Sequence, residues 1–373
     1  MAKSGKKNIL RYVPLVVICI LMLFNLLNHF FVIIPRSNTS VGFRDVDCPN
    51  VETLTGDLYP NVEYQAFTYE PEERELTLFN EYGGGKTVRF MWGGKLFDHG
   101  SYIYDHNLCL AANSIVNIGI WTTLSLSPEV YAHAMESLGL TNTETWVAET
   151  YNVDRPEMHI SSATLGDRAF VVVNVRGSFS VGDYATDLKA VYDGFGPASF
   201  YVRDNILGYV DRNFPDKGRE DISLLIVGHS LGGACAGLQA PLMEEAGFAK
   251  EKTFIYTLAS PKYHLNGSAK DYPNVFNTIV DRDVVPRVPL LDGRYGTDLR
   301  YQSVYVGYSA LGMIESALRN KTDPIYSNII SYHSVMNYLQ SADSGNVSHT
   351  STAKGMLFFA GELFLNSVQI ALR

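Results

Sequence analysis

The chain has 373 residues, 46% of them hydrophobic and 18% charged, and its formal net charge at pH 7 is −9. This length and composition favour a single large globular domain with extensions. Residues 1–36 contain five basic and no acidic residues, so the rest of the chain holds 25 basic and 39 acidic residues, a net charge of −14. A domain this acidic is a poor candidate for binding nucleic acid.

An uncharged apolar stretch near the N-terminus predicts a membrane-spanning helix. Residues 12–34 carry no charge when His29 is neutral, and at about 1.5 Å per residue they can cross a hydrocarbon layer about 30 Å thick. The positive-inside rule then predicts a single-pass membrane protein with a cytoplasmic N-terminus and an extracytoplasmic remainder, because basic residues precede the stretch: Lys3, Lys6, Lys7 and Arg11. Secretion after cleavage of a signal peptide is the alternative, although the apolar core exceeds the usual length of about 7–15 residues and no A-x-A-like site follows it.

Four segments are predicted along the chain. Residues 1–36 form a cytoplasmic tip and the membrane anchor, and residues 37–104 form a stalk and a β-hairpin around the glycines at 83–85. Residues 105–345 alternate between strand and helix patterns, which predicts an α/β domain whose mostly parallel sheet has helices on both faces. Residues 346–373 contain a C-terminal amphipathic helix, which we expect to pack on the core or to lie at the membrane surface.

The spacing of apolar residues predicts the individual elements of the α/β domain. Helices are expected at 105–121, 128–139, 198–209 and 333–341, and strands at 169–175, 222–227, 253–257, 275–280 and 301–306. Because active sites of open α/β sheets assemble at the carboxyl edge of the strands, polar residues directly after these strands are candidates for a functional site.

Two of the four cysteines are plausible disulfide partners. Cys19 lies in the predicted anchor and Cys235 on a helix of the α/β domain. Cys48 and Cys109 are then left outside the membrane, where they could form a disulfide or stay as two thiols.

A serine between glycines follows the predicted strand at 222–227. Ser230 stands in the hexapeptide 228–233, G-H-S-L-G-G, and small residues follow it in the next helix. This G-x-S-x-G pattern between a buried strand and a helix is typical of a nucleophile elbow, in which a sharp turn exposes the serine hydroxyl at the sheet edge. The pattern therefore predicts that Ser230 is a nucleophile.

A serine nucleophile requires a base, and the base requires an orienting acid. On this architecture the acid and then the histidine follow the serine along the chain. His333 is the favoured base, because His229 lies inside the elbow, His264 precedes the acid and His349 lies in a polar loop. Asp281 and Asp283 both follow the strand that ends at 280, and spacing alone leaves both open as the acid.

These residues resemble the class 3 lipases, which have an α/β-hydrolase fold. The likeness rests on an ordered set of motifs within residues 105–340: V-R-G-S at 175–178, G-F at 194–195, the elbow at 228–233, D-V-V-P-R at 283–287, and Y-H-S at 332–334 with Tyr338. Ser178 replaces the threonine that is common in bacterial relatives, and Asp193 stands where many members have histidine.

The resemblance implies roles for further residues. It favours Asp283 over Asp281 as the acid, since the family's acid stands directly before the apolar pair and the proline. It also implies that Ser178 and the backbone N–H of Leu231 form the oxyanion hole. A lid over the serine is implied within residues 179–190, where the apolar residues are Phe179, Val181, Tyr184 and Leu188; a permanently docked surface helix is the alternative.

The expected function is hydrolysis of acylglycerol or related lipid esters through a Ser230–Asp283–His333 triad and an acyl-enzyme. No cofactor and no metal are expected, because the chain contains no H-E-x-x-H, no C-x-x-C pair and no phosphate loop. Two alternatives stay open: a carboxylesterase or phospholipase that uses the same triad, and a catalytically idle lipase-fold protein that binds surfaces.

Overall fold

The computed structural model describes most of the predicted α/β domain and the hairpin before it. The described residues are 64–79, 85–124, 128–147, 152–177, 195–263, 272–281, 283, 285–287, 293–304 and 332–345. The predicted anchor, the stalk up to residue 63, Ser178, the predicted lid and the C-terminal helix lie outside them. Among the helices that are described, none has the length and apolar character needed to cross a membrane.

The first two strands form the predicted hairpin. Strands β1 (Glu72–Phe79) and β2 (Gly85–Trp92) pair antiparallel. Their inner residues join the core of the α/β domain, where the buried Trp92 donates a hydrogen bond from Nε1 to the backbone oxygen of Leu138 at 2.8 Å. The hairpin therefore packs on the domain as part of one hydrophobic core.

A seven-stranded sheet forms the centre of the domain, and its strands lie side by side in chain order. They are β3 (Thr141–Trp146), β4 (Met158–Leu165), β5 (Arg168–Val175), β6 (Ile222–His229), β7 (Thr253–Leu258), β8 (Val275–Val280) and β9 (Thr297–Tyr301). The pairs β3–β4 and β4–β5 are antiparallel, and the four pairs from β5 to β9 are parallel. The predicted mostly parallel sheet is confirmed.

Helices cover both faces of this sheet. The described helices are α1 (His106–Leu124), α2 (Pro128–Ser137), α3 (Gly196–Asn213), α4 (Leu231–Glu245) and α5 (Val335–Asp343). Side chains of α1, α2 and α5 form one core cluster with Leu225 and Val227 of β6, whereas α3 and α4 form the other with Leu224 and Ile226. Because successive strand residues point to opposite faces, the unbroken apolar run of β6 supplies both clusters.

Two strands were absent from the sequence prediction because neither shows the apolar pattern of a buried strand. β3 reads T-N-T-E-T-W, and as the edge strand it is mostly half-exposed. β4 buries polar residues that find partners: the Ser161 and Thr143 hydroxyls are 2.9 Å apart, and Ser162 accepts a hydrogen bond from the Tyr209 hydroxyl at 2.8 Å. Polar groups can be buried at little free-energy cost when they are hydrogen-bonded. A search for alternating apolar residues does not detect a strand that is buried in this way.

The last strand begins and ends earlier than predicted. A strand was expected at 301–306, but β9 spans Thr297–Tyr301. Its five residues pair with Phe276–Val280 of β8. Its register is set by β8 and not by the apolar residues after Tyr301. Cys109, the described member of the pair considered for a disulfide, is a free thiol buried in α1.

We predict that Gly232→Ala destabilises the fold although alanine is the better helix former. Gly232 lies in the first turn of α4, where an added Cβ would sit 2.2 Å from the backbone oxygen of Val175 and 2.5 Å from that of Arg176. The helix propensity gained is about 1 kcal/mol, whereas a clash with two fixed carbonyls costs about 1–3 kcal/mol or more. We expect a net loss in the free energy of unfolding, measured by urea titration.

The matched control is Gly208→Ala within α3, where an added Cβ would meet the flexible end of the Arg212 side chain at 3.2 Å from Nη1 and no backbone of another element. This variant should be as stable as the wild type or more stable, by up to about 1 kcal/mol. If Gly232→Ala were as stable as Gly208→Ala, the close contact between α4 and the end of β5 would be wrong.

Candidate active site

Ser230 occupies a sharp turn between strand β6 and helix α4. Its backbone angles are φ 56° and ψ −124°, a left-handed conformation that a residue with a side chain adopts only at a cost of about 1–3 kcal/mol. Hydrogen bonds hold the turn on both sides: Ser230 N donates to Leu258 O at 2.9 Å, and Ala234 N donates to Ser230 O at 3.1 Å. The predicted elbow geometry is therefore present, and it places the serine at the carboxyl edge of the parallel strands.

Glycine is required next to this turn because three backbones meet there. A Cβ on Gly228 would lie 2.3 Å from the backbone oxygen of Gly232, so the strand and the helix approach too closely for any side chain. A Cβ on Gly177, just beyond the end of β5, would lie 2.3 Å from the backbone oxygen of His229 and 3.0 Å from Ser230 Cβ. The segment that leads into Ser178 thus contacts the turn that carries Ser230.

His333 bridges the serine and one aspartate. Its Nε2 is 2.9 Å from Ser230 Oγ, and its Nδ1 is 2.8 Å from Asp283 Oδ2. All three side chains are buried, and those of His333 and Asp283 are only 3% and 0% exposed. Each ring nitrogen therefore has one of these two partners. A neutral ring in this place donates a hydrogen bond from Nδ1 to Asp283 and accepts one at Nε2 from the Ser230 hydroxyl.

The buried carboxylate of Asp283 is surrounded by donors. Burial raises its pKa, but the neighbouring His333, a 2.6 Å hydrogen bond from the Tyr338 hydroxyl and a 3.0 Å hydrogen bond from the backbone N–H of Val285 outweigh burial and lower the pKa below its usual value. Burial, together with this contact with Asp283, raises the pKa of Tyr338 well above its usual value. Asp283 is accordingly ionised at neutral pH, as a group that orients His333 must be.

Two buried arginines donate hydrogen bonds to the backbone around Asp283. Arg287 donates from Nε to the backbone oxygen of Asp283 at 3.0 Å. Arg294 donates from Nη1 to the backbone oxygens of Pro286 and Ser260, each at 2.7 Å, and its other nitrogens bind the Asp298 carboxylate. Sequence reasoning missed both residues. Arg287 stands in the D-V-V-P-R motif and could have been noticed there, whereas nothing local marks Arg294.

His229, which sequence reasoning set aside as part of the elbow, contacts the site directly. Its Nε2 lies 2.8 Å from the backbone oxygen of His333, and the two imidazole centroids are 4.6 Å apart. Burial and the neighbouring His333 lower the pKa of His229 to about 3, so this ring is neutral at physiological pH.

One known protein family matches a part of this chain. Residues 165–293 match the sequence model of a family described as lipase (class 3). This segment is therefore similar to the class 3 lipases. The matched range includes Ser230 and Asp283, whereas His333 lies beyond it.

Two fungal proteins are similar to part of this chain. Secreted mono- and diacylglycerol lipase A of Penicillium cyclopium and that of Penicillium camembertii are each 31% identical to this chain over 140 residues, which cover 34% of this chain and 45% of theirs. The chain thus spans about half the length of the curated relatives it matches.

Solved lipase structures are also similar to the chain. The triacylglyceride lipase of Rhizomucor miehei is 20% identical, with a TM-score of 0.38, over 53% of this chain and 79% of that one. The Lip2 lipase of Yarrowia lipolytica is 17% identical, with a TM-score of 0.35, over 58% of this chain and 81% of that one.

The structure brings together some of the predicted site residues, and others lie outside its described part. Ser230, Asp283 and His333 are in contact, and Leu231 is the first residue of α4, where a backbone N–H has no partner inside the helix. Ser178 and the predicted lid residues lie outside the described residues. Asp281 directly follows β8, and its backbone N–H donates to Tyr301 O at 3.0 Å. In the described part of the chain, no three His, Cys, Asp or Glu side chains are grouped as a metal would require.

We predict that Tyr338→Phe destabilises the fold in a pH-dependent way. The folded-state pKa of Asp283 is lowered, so its ionisation stabilises the fold above the unfolded-state pKa of about 3.9, and this stabilisation is lost as pH falls through the folded-state pKa. Removing the Tyr338 hydroxyl raises the folded-state pKa. We therefore expect a loss of about 1.5–3 kcal/mol at pH 7 that shrinks toward acid pH, measured by urea unfolding at several pH values.

Tyr209→Phe is the control, because the hydrogen-bond partners of the buried Tyr209 hydroxyl in the described part of the chain are neutral: Asn142 O and Ser162 Oγ, each at 2.8 Å. Its loss of stability should stay constant over the same pH range. Equal pH profiles for the two variants would contradict an ionised Asp283 at the end of the Tyr338 hydrogen bond.

Proposed function

We propose that this protein is a serine ester hydrolase of lipase type that acts through Ser230, His333 and Asp283. One observation carries the proposal: a single buried imidazole lies 2.9 Å from the serine hydroxyl and 2.8 Å from a buried carboxylate. The class 3 lipase match to residues 165–293 supports the same activity. A serine alone is a poor nucleophile at neutral pH, and this chain of hydrogen bonds supplies the base that activates it.

In the proposed acylation step, Ser230 Oγ attacks the ester carbonyl while its proton passes to His333 Nε2. The imidazolium formed in this step is stabilised by the Asp283 carboxylate at Nδ1, and Asp283 itself keeps its charge. His333 then gives the proton to the leaving alcohol, and an acyl group stays on Ser230. In deacylation, water loses a proton to His333 and attacks the acyl ester, which releases the acid and restores the serine.

The negative oxygen of the tetrahedral intermediate needs donors that are already in place. The backbone N–H of Leu231 is one candidate, because it opens helix α4 directly after the nucleophile and the positive end of the helix dipole adds to its effect. Ser178 is the other, and the contact between Gly177 and the Ser230 turn supports a place for it nearby. Each such donor is worth about 3–4 kcal/mol of transition-state stabilisation.

We propose that the substrates are acylglycerols or related lipid esters. The fungal relatives are named as mono- and diacylglycerol lipases, and they supply the chemical class: an ester between a fatty acid and a polyol. These relatives are named as secreted, which agrees with a catalytic domain outside the cytoplasm. The predicted anchor at residues 12–34 would then keep the enzyme at a membrane surface, close to lipid esters.

We predict that a fluorophosphonate probe labels the full-length protein at Ser230, and that Ser230→Ala abolishes the labelling. The probe forms a covalent bond only with a serine that is activated by a base, so labelling reports the nucleophile itself. Gel fluorescence and mass spectrometry of the labelled peptide provide the measurement. The same preparation should release fatty acid from a monoacylglycerol or diacylglycerol of medium or long chain.

A folded wild-type protein that takes up no label, or a Ser230→Ala variant that is still labelled, would overturn the hydrolase proposal. The first result would instead favour a catalytically idle lipase-fold protein. Labelling at Ser230 together with turnover of short-chain esters or phospholipids alone would keep the triad and reject acylglycerols as the substrate.

We predict that Asp283→Asn lowers kcat by roughly 10⁴-fold, whereas Asp281→Asn changes it by no more than about threefold. An amide at position 283 would hold His333 in the wrong tautomer or leave its Nδ1 proton without a charged acceptor. Asp281 provides a matched control, because it lies two residues away with the same side chain and on the same strand end. The reverse ranking of the two variants, measured on one soluble ester, would show that the acid is misassigned.

A further inference from the structure

A second buried histidine adjoins the proposed catalytic serine. His229 is the last residue of β6, it is 4% exposed, and its Nε2 is 2.8 Å from the backbone oxygen of His333. A carbonyl oxygen only accepts hydrogen bonds, so Nε2 must carry the proton. Nδ1 of His229 has no hydrogen-bond partner in the described part of the chain, which agrees with a neutral ring protonated at Nε2 alone.

The carbonyl that His229 binds directly precedes the N-cap of helix α5. Ser334 is this N-cap, and a backbone hydrogen bond runs from Tyr338 N to Ser334 O. Asn337 N donates to Ser334 Oγ, and Asn337 Nδ2 donates to Tyr332 O. His229 thus adds a hydrogen bond to His333, between two residues that are bonded from α5.

His229 is also suited to this place by its charge. The groups that face its ring are His333, Asp283 and Tyr338. Because the pKa of His229 is lowered to about 3, it stays neutral while His333 takes up a proton, and it neither competes for that proton nor repels the cation. A charged residue at 229 would oppose the imidazolium at short range.

We propose that His229 is a positioning residue that holds the backbone of His333 so that the imidazole Nε2 stays within hydrogen-bond reach of Ser230 Oγ. This inference rests on the proposed function. Since residues 229 and 230 are adjacent, the same turn that presents the nucleophile also fixes the base by one hydrogen bond. An error of about 1 Å in the place of a catalytic group can cost on the order of 100-fold in rate.

Two variants at this position separate the hydrogen bond from packing. His229→Gln keeps an N–H donor with a similar reach, whereas His229→Leu fills the site without a donor. For a soluble p-nitrophenyl ester and the full-length protein, we expect His229→Leu to lower kcat by about 10- to 100-fold with KM changed by less than about twofold. His229→Gln should recover most of this loss, and the fluorophosphonate labelling rates should follow the same ranking.

His159→Leu is the control for the loss of a buried neutral histidine. Burial also lowers the pKa of His159 to about 3, but the residue lies on β4 and stacks on Tyr131 instead of contacting the triad. The His159→Leu protein that folds should keep the wild-type kcat. Equal losses in His229→Gln and His229→Leu, or wild-type kcat in His229→Leu, would overturn the proposal, since either result would mean that the donated hydrogen bond does not matter.

A measurement without turnover distinguishes this inference from the proposed function. In protein labelled with ¹⁵N-histidine, the imidazole nitrogens of His229, assigned by their absence in His229→Gln, should show a protonated Nε2 and an unprotonated Nδ1 from pH 5 to 8. This pattern would support the hydrogen bond to His333 even in a protein that no fluorophosphonate labels. A proton on Nδ1, or a titration of the ring within this range, would overturn the positioning role whatever the activity.

Discussion

The site depends on the close contact of three backbones around Ser230. The end of β5, the end of β6 and the first turn of α4 meet so closely that the positions of Gly177, Gly228 and Gly232 leave no space for a Cβ. This contact holds Ser230 in a left-handed conformation that its own side chain disfavours. The free energy stored in the turn is offset by the packing of the sheet and helix on either side, which are buried along nearly their whole length.

Beyond this turn, hydrogen bonds surround the buried carboxylate of Asp283 and the backbone of its loop. Asp283 is buried as an anion, and it stays ionised because His333, Tyr338 and the Val285 backbone all bind it. Arg287 and Arg294 lie further out and donate hydrogen bonds to the backbone oxygens of Asp283 and Pro286. Loss of one of these partners would leave the buried Asp283 charge poorly compensated and would destabilise the fold. The position of the loop that carries Asp283 and the position of helix α5 therefore depend on each other.

Much of this arrangement could be predicted because it is local or ordered along the chain. The parallel strands, the helices between them and the Ser230 turn each have a pattern of apolar residues or glycines within about ten residues. The polar strands β3 and β4 could not be predicted, because the buried serines and histidine of β4 depend on partners such as Thr143 and Tyr209. The choice between Asp281 and Asp283 likewise needed either the family resemblance or the contact between Asp283 and His333 in the folded chain.

The sequence by itself determined the order of the elements, the turn at Ser230 and the short set of candidate acids and bases, since these follow from local patterns and chain order. Only the tertiary structure decided that Asp283 lies 2.8 Å from His333, that Tyr338 and Arg287 support it, and that His229 binds the His333 carbonyl. Apart from the contact of Arg287, which lies four residues from Asp283, these contacts join residues about 50–100 positions apart. No local pattern encodes such distances, because they arise when separate strands end at the same edge of one sheet.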